Sequence, residues 1–424
     1  MKSRNRIILS TIILLGINAG IFAQNIGLVN IRKSEDIITV GGPGADISGF
    51  TSDAIQIALD ALKSRGGGTV KLNAGTFSIT GPVRIPDNSS LIGSGKETIL
   101  KKCDGFRTSF VIDADYGMLK AVVKDASGFK KGMGIQLYDD EHDQGWDVTT
   151  AKITDIQDNV IYFDNNTNCD YLSSLNGTIT NGCSVVEAVG VKNVKIADFI
   201  VEGNKGTNDY INGCRGGGIY IHKSDNCLVE NVKVNEFNGD SFSWQITENI
   251  TVRNCEVSNG NGLGFHPGTG SDRSIVENCI SHHNKGDGIY LCWRVQNGIF
   301  RNNTVYANQD NGISIGHKDT DNIFENNHIY ENSNHGVLFR NENEQNSGHR
   351  NTFTNNIVEN NGTAGDAAGF YVGGETHDIN ITNNTIRSTG KGNQSTAIVV
   401  GKKSSKVTST GNKISGSKEI KNEK

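Results

Sequence analysis

The chain has 424 residues, with 41 Lys and Arg against 46 Asp and Glu, and a net charge of −5. An acidic balance argues against nucleic acid as the main partner, because phosphate binding needs a basic surface. The 52 Gly, four Pro and many Asn are unlike an α/β enzyme, and the eight Cys form no Cys-x-x-Cys pair, which argues against a zinc site.

The first 23 residues have the layout of a cleaved signal peptide. Lys2, Arg4 and Arg6 precede the apolar run Ile7 to Ile17, and Ile21-Phe22-Ala23 offers a cut before Gln24. The run is short for a membrane anchor. The expected location is therefore secreted or periplasmic, with no membrane partner. Losing three positive charges takes the net charge from −5 to about −8.

Residues 24–102 read as an N-terminal cap and first coils. Residues 52–65 predict a helix: Thr51 or Ser52 caps it, Gly66 ends it, and Ala54, Ile55, Ala58, Leu59 and Leu62 share one apolar face. Residues 103–190 break the rhythm and read as an inserted β module. Its loop Asp139-Asp140-Glu141-His142-Asp143 is either a solvated surface loop or one that binds a cation or overhangs a cleft.

Residues 191–416 carry a repeat. Gly264, Gly288, Gly312 and Gly336 each open a short strand at a 24-residue spacing. The strands are Phe265-His266-Pro267, Ile289-Tyr290-Leu291, Ile313-Ser314-Ile315 and Val337-Leu338-Phe339. A second strand recurs in step, with Asn254, Asn278, Asn302, Asn326, Asn355 and Asn383 at one turn. That Asn column predicts a structural amide ladder. Cys255 and Cys279 fall at one place in successive repeats, as stacked core thiols. Two short strands per repeat, with no helix to cross between them, leave a coil stacked on itself. A solenoid also explains how about 400 residues need not divide into several domains. Residues 417–424 read as a polar tail.

The opening coils resemble those of the pectate-lyase-like right-handed parallel β-helix superfamily. Gly44-Ala45-Asp46, the helix, Gly66-Gly67-Gly68-Thr69-Val70, Gly75-Thr76-Phe77, Ile85-Pro86-Asp87-Asn88 and Leu91-Ile92-Gly93-Ser94-Gly95 carry the resemblance. It implies an all-β, right-handed parallel β-helix solenoid that is carbohydrate-active, a fold that hosts many chemistries. Gly264-Phe265-His266-Pro267 also resembles the His-and-Pro signature of alginate C5-epimerases with this fold, without the Asp those enzymes place beside it. The Asp cluster of calcium-dependent pectate lyases is missing, so neither a cofactor nor bound calcium is indicated.

Alternation along each strand predicts an outward column of Tyr220, Ser243, His266, Tyr290, Ser314, Leu338 and Tyr371. The next outward positions and turns add His222, Cys292, Trp293, Arg294, His317, Lys318, Asp319, Arg340 and Glu342, with Trp244 beside the patch as a candidate sugar-stacking ring. Such a patch on an acidic protein suits an anionic polysaccharide. For a uronate polymer, Arg294 or Arg340 would neutralise the carboxylate, His266 or Lys318 would take the C5 proton, and Tyr290 or His317 would protonate the departing oxygen. Tyr220, His222, Trp244, Trp293, Asp319, Arg340 and Glu342 would bind substrate; no residue is assigned to a metal. Cys292 reads as a packing residue, since no base partner is evident beside it. The expected activity is a polysaccharide lyase or C5-epimerase. The alternatives are a glycoside hydrolase using Asp319, Glu342 or Asp287, which needs two flanking carboxylates, and a non-catalytic carbohydrate-binding adhesin.

Overall fold

The computed structural model describes residues 36–423. The expected signal peptide lies outside them. No helix among the described residues is long and apolar enough to cross a membrane.

One α-helix, Ser52–Lys63, closes the N-terminal end. Thr51 accepts a hydrogen bond from Ala54 N at 3.2 Å, and Gly66 takes the positive φ of 88° that ends the turn. Ala54, Ile55, Ala58, Leu59 and Leu62 are buried against the first coil. The chain then winds as a parallel β-helix. One wall is an eleven-stranded parallel sheet running from Val83–Arg84 to Lys418–Asn422. The opposite surface is a long parallel sheet bent into two rows, such as Thr251–Arg253 and Glu256–Ser258.

The bend explains the Asn column and corrects it. Asn254, Asn278, Asn302, Asn326, Asn355 and Asn383 are exposed and take φ between 54° and 57°. Asn enters the left-handed region more easily than other side chains, so it serves the turn. The ladder is built one residue later. Asn303, Asn327, Asn356, Asn384 and Asn412 stack in the interior, each Nδ2 donating to the next Oδ1 at 2.9–3.1 Å. Cys255 and Cys279 are free, buried thiols at the start of the same column, and the Cys279 N–H donates to Asn303 Oδ1. A second ladder runs from Asn284 through Asn308, Asn332 and Asn361 to Gln394. Phe300, Phe324 and Phe353 stack beside them with centroids 4.7 and 4.4 Å apart.

The insertion forms its own antiparallel sheet of six strands, from Arg107–Ser109 to Thr178–Thr180, over a core that includes Phe110, Ile135, Leu137, Ile161 and Ile179. The strand Val186–Val189, inside the range expected for the module, belongs to the wall. It pairs with Val83–Arg84 before the insertion and with Ile219–His222 after it. The end of the chain differs from the expected polar tail, because Lys418–Asn422 adds a final wall strand beside Gln394–Val400. In the acidic loop, Asp139 is buried and accepts from the Glu141, His142 and Leu172 N–H groups, so it holds its own turn together.

Candidate active site

The wall's register places Glu187, Tyr220, Ser243 and His266 on consecutive rungs, and Tyr290, Ser314, Leu338 and Tyr371 on the following ones. His266 and Tyr290 meet edge to face, with ring centroids 5.4 Å apart. The Asp240 carboxylate sits at the turn before its strand. Its Oδ1 accepts from Leu263 N at 2.9 Å, and its Oδ2 lies 2.7 Å from His266 Nδ1. A carboxylate only accepts, so His266 Nδ1 carries the hydrogen. The His266 Nε2 is buried and has no hydrogen-bond partner.

Arg340 organises the other half of the site. Its guanidinium lies over the Tyr290 ring, 4.4 Å from the centroid. Nη1 donates to Ser314 Oγ at 2.8 Å, and Nη2 donates to Leu291 O at 2.7 Å. Nη2 also lies 3.3 Å from Asp319 Oδ2 and 3.4 Å from His317 Nδ1. Arginine only donates, so His317 Nδ1 is the acceptor and Nε2–H points to Glu342 Oε1, 2.7 Å away. Burial and the Arg340 charge hold His317 below its ordinary value, which keeps the imidazole neutral near pH 7. Burial pushes the Tyr290 hydroxyl up, so it keeps its proton. Burial also pushes Asp319 up to about 7, against the pull of Arg340 and of the Val295 and Gly316 N–H groups.

Two turns on this wall have an unusual backbone. Trp293 and Arg294 have φ of 63° and 65°, and His317 and Lys318 have 50° and 68°. Among the described residues these are the only consecutive non-glycine pairs in the left-handed region. Each such residue costs roughly 1–3 kcal/mol, so the side chains stand where Gly or Asn would be easier. The turns stack, with the Arg294 N–H donating to His317 O at 2.9 Å and the Trp293 and His317 rings parallel at 4.6 Å. Trp293 is 39% exposed, and neither Arg294 nor Lys318 forms an ion pair with a described residue.

The site departs from expectation in four ways. Trp244 is not on the surface: it is 1% exposed, fills the solenoid beside Phe242, and donates from Nε1 to Ser274 Oγ at 3.0 Å. Strand alternation puts it inside, because Ser243 points out. Second, the outward column is covered at its early rungs. His266 is 5% exposed, since the turn at residues 212–217 crosses it. Ser243 Oγ donates to Gly213 O at 2.6 Å and Tyr220 OH donates to Cys214 O at 2.6 Å. A Cβ on Gly213 would sit 1.8 Å from Asp240 Oδ2, so only glycine lets the turn lie this close. Third, Cys292 does have a base beside it, with His317 Nδ1 3.5 Å from Sγ. Burial nevertheless pushes the thiol up to about 12, so it stays protonated. Fourth, Asp319 is fully buried and holds Arg340 and the Gly316 turn, with no surface left for a ligand.

Tyr220 and His222 lie two or more rungs from His266, in a separate cleft of about 560 Å³ between the wall and the inserted module. Sequence reasoning missed two residues there. Arg215 comes from the covering turn and Trp146 from the module, and neither lies in the repeat. Ser314 was placed on the wall without a role, and Asp240, which precedes the wall strand Phe242–Gln245 as Asp287 precedes Ile289–Tyr290, was not singled out. Its recurrence before a wall strand was the available signal. A cluster of Glu344, His349 and His377 could bring three ligand atoms together. Both His349 nitrogens are already used: Nδ1 accepts from His377 N and Nε2 donates to Glu344 O.

A family described as the right handed beta helix region matches residues 201–353. No curated protein matches the sequence. Among solved structures, the chain is similar to the A-module of the Azotobacter vinelandii mannuronan C-5 epimerase AlgE6, with 17% identity, a TM-score of 0.58, and 88% of this chain and 92% of that one covered. It is similar to a hyperthermoactive exopolygalacturonase from Thermotoga maritima, at 14% identity, a TM-score of 0.51, and coverage of 92% and 89%. It is also similar to the Streptococcus pneumoniae surface protein and adhesin PfbA, at 12% identity, a TM-score of 0.52, and coverage of 88% and 96%. At these identities the likeness is one of fold. With the matched region and the parallel sheets, it identifies the chain as a right-handed parallel β-helix.

Proposed function

We propose that the chain acts on a uronic-acid-containing polysaccharide by removing the C5 proton of a uronate unit. The observation that carries this reading is Tyr290, a phenol that keeps its proton, held between the Arg340 guanidinium and the Asp240–His266 pair. In this reading the cations Arg340 and Arg294 meet the carboxylate and lower the cost of the carbanion at C5. His266, through the Nε2 that has no hydrogen-bond partner, takes the C5 proton, and Lys318 is the second candidate base on the rim; His317, whose two nitrogens already engage Arg340 and Glu342, holds those groups in place. If the C4–O bond breaks, Tyr290 gives its proton to the leaving oxygen and an unsaturated sugar remains. If a proton returns to the other face of C5, the product is the epimer. Trp293 and Glu342 line the same surface and would contact the sugar.

The hydrolase reading has less support. Burial pushes Asp287 and Asp319 up to about 7, which suits a general acid, but both side chains are buried and hydrogen-bonded to the backbone. Glu342 is committed to His317. A pair of open carboxylates flanking one bond is what that chemistry requires. The test is a panel of uronate polymers followed by ultraviolet absorbance and by reducing ends. Absorbance rising with reducing ends is the lyase outcome, and an altered epimer ratio without either is the epimerase outcome. Reducing ends without absorbance would overturn the proposal in favour of hydrolysis.

A further inference from the structure

We propose that the cleft between the inserted module and the wall is a binding subsite for a second uronate unit of the same polymer, with Arg215 as the residue that reads its carboxylate. The inference rests on the uronate reading above and adds a place and a residue to it.

The cleft is lined by Arg84, Glu187, Tyr220 and His222 from the wall, by Arg215 from the turn that covers His266, and by Thr150, Asp164, Asn165 and Asn168 from the module. Its volume of about 560 Å³ falls in the range of small-ligand sites. Charge is divided unevenly inside it. Arg84 takes both carboxylates, pairing with Asp164 and with Glu187. Arg215 forms no ion pair among the described residues. Its guanidinium is held by the module instead: it lies over the Trp146 ring at 4.9 Å, and Nη2 donates to the Trp146 carbonyl. Its Nε is buried without a partner, and so is His222 Nε2. A buried donor without an acceptor is costly, so a ligand that supplied an acceptor in this cleft would be favoured. Trp146 also meets His222, with centroids 5.5 Å apart, so the ring fixes both. Burial and the Lys223 and Arg215 charges bring His222 down to about 4, leaving it neutral and able to hydrogen-bond a sugar hydroxyl.

Position supports the assignment. Tyr220 stands two rungs from His266 and three from Tyr290 on one sheet, or about 10 and 14 Å at the usual strand spacing. A polymer lying along the wall would reach both places. The inserted module then has a function, because it supplies one side of the cleft and the Trp146 that holds Arg215 in place.

The test compares binding of a saturated oligouronate and of its methyl ester by titration calorimetry, with wild type and with Arg215→Ala. The acid should bind the wild type about tenfold to a hundredfold more tightly than the ester, the span of a hydrogen bond to a charged group. Arg215→Ala should lower that preference by about tenfold, leaving the share contributed by Arg340 and Arg294, while binding the ester as before. Equal binding of acid and ester by the wild type would overturn the subsite together with the carboxylate contacts proposed for Arg340 and Arg294. A preference unchanged in Arg215→Ala would overturn the subsite alone, even with turnover at Tyr290 intact. Turnover abolished by Tyr290→Phe with binding preserved keeps the two sites distinct. A wild type that binds neither form refutes the uronate reading, and this inference with it.

Discussion

Two neighbouring asparagines should respond very differently to the same substitution. Asn327 is fully inside the solenoid. Its Nδ2 donates to Asn356 Oδ1 at 3.0 Å and Phe300 O at 2.9 Å, and its Oδ1 accepts from both the backbone N–H and the Nδ2 of Asn303 at 3.0 Å. Asn327→Ala therefore leaves the Asn303 N–H buried without an acceptor and removes three further bonds. At roughly 1–3 kcal/mol for the orphaned group and about 0.5–1 for each other bond, the loss is about 2.5–6 kcal/mol. Asn326 is exposed, with φ of 56°. Asn326→Ala pays only for a Cβ residue in the left-handed region, about 1 kcal/mol, and Asn326→Gly should be close to neutral. Urea unfolding followed by circular dichroism measures the three variants. Equal losses for the two alanine variants, or a larger loss at 326, would refute the assignment of turn and ladder.

Other consequences concern the site. Tyr290→Phe and His266→Ala should each reduce turnover at least a hundredfold, the usual size of an acid–base contribution, with unfolding midpoints near wild type for Tyr290→Phe. Full activity in both would place the chemistry elsewhere. Asp319 should make stability depend on pH. Its folded value, about 7, lies above the unfolded value of 3.8, so its contribution is complete below about pH 4 and lost as the pH rises to 7. Three units correspond to about 4 kcal/mol at most. Asp319→Asn does not titrate, so its stability deficit should narrow between pH 4 and 7.5; a constant deficit in urea titrations would contradict the burial argument.

The coil and its register were legible because a 24-residue repeat fixes which side chains share a face. That is why His266, Tyr290, His317 and Arg340, though 74 residues apart at the extremes, were placed on one wall. The period says little about single-residue offsets within a turn. Asn326 and Asn327 look alike in sequence, and only the backbone decides which takes the left-handed turn and which stacks. Trp244 was misplaced by its chemistry, since an aromatic ring attracts a sugar-binding role that its strand position denies. A column of side chains also shows a face without showing what covers it. The turn at 212–217 and the module lie outside the repeat, so the burial of His266 and the cleft at Arg215 had no periodic signal.

The central claim is that this wall removes a proton from C5 of a uronate. It is tested most directly by proton NMR of polyuronates incubated with the protein in D2O. Loss of the H-5 signal, by deuterium exchange or by formation of an unsaturated end, is the predicted result, and Tyr290→Phe should abolish it. New reducing ends with H-5 fully retained would contradict the account.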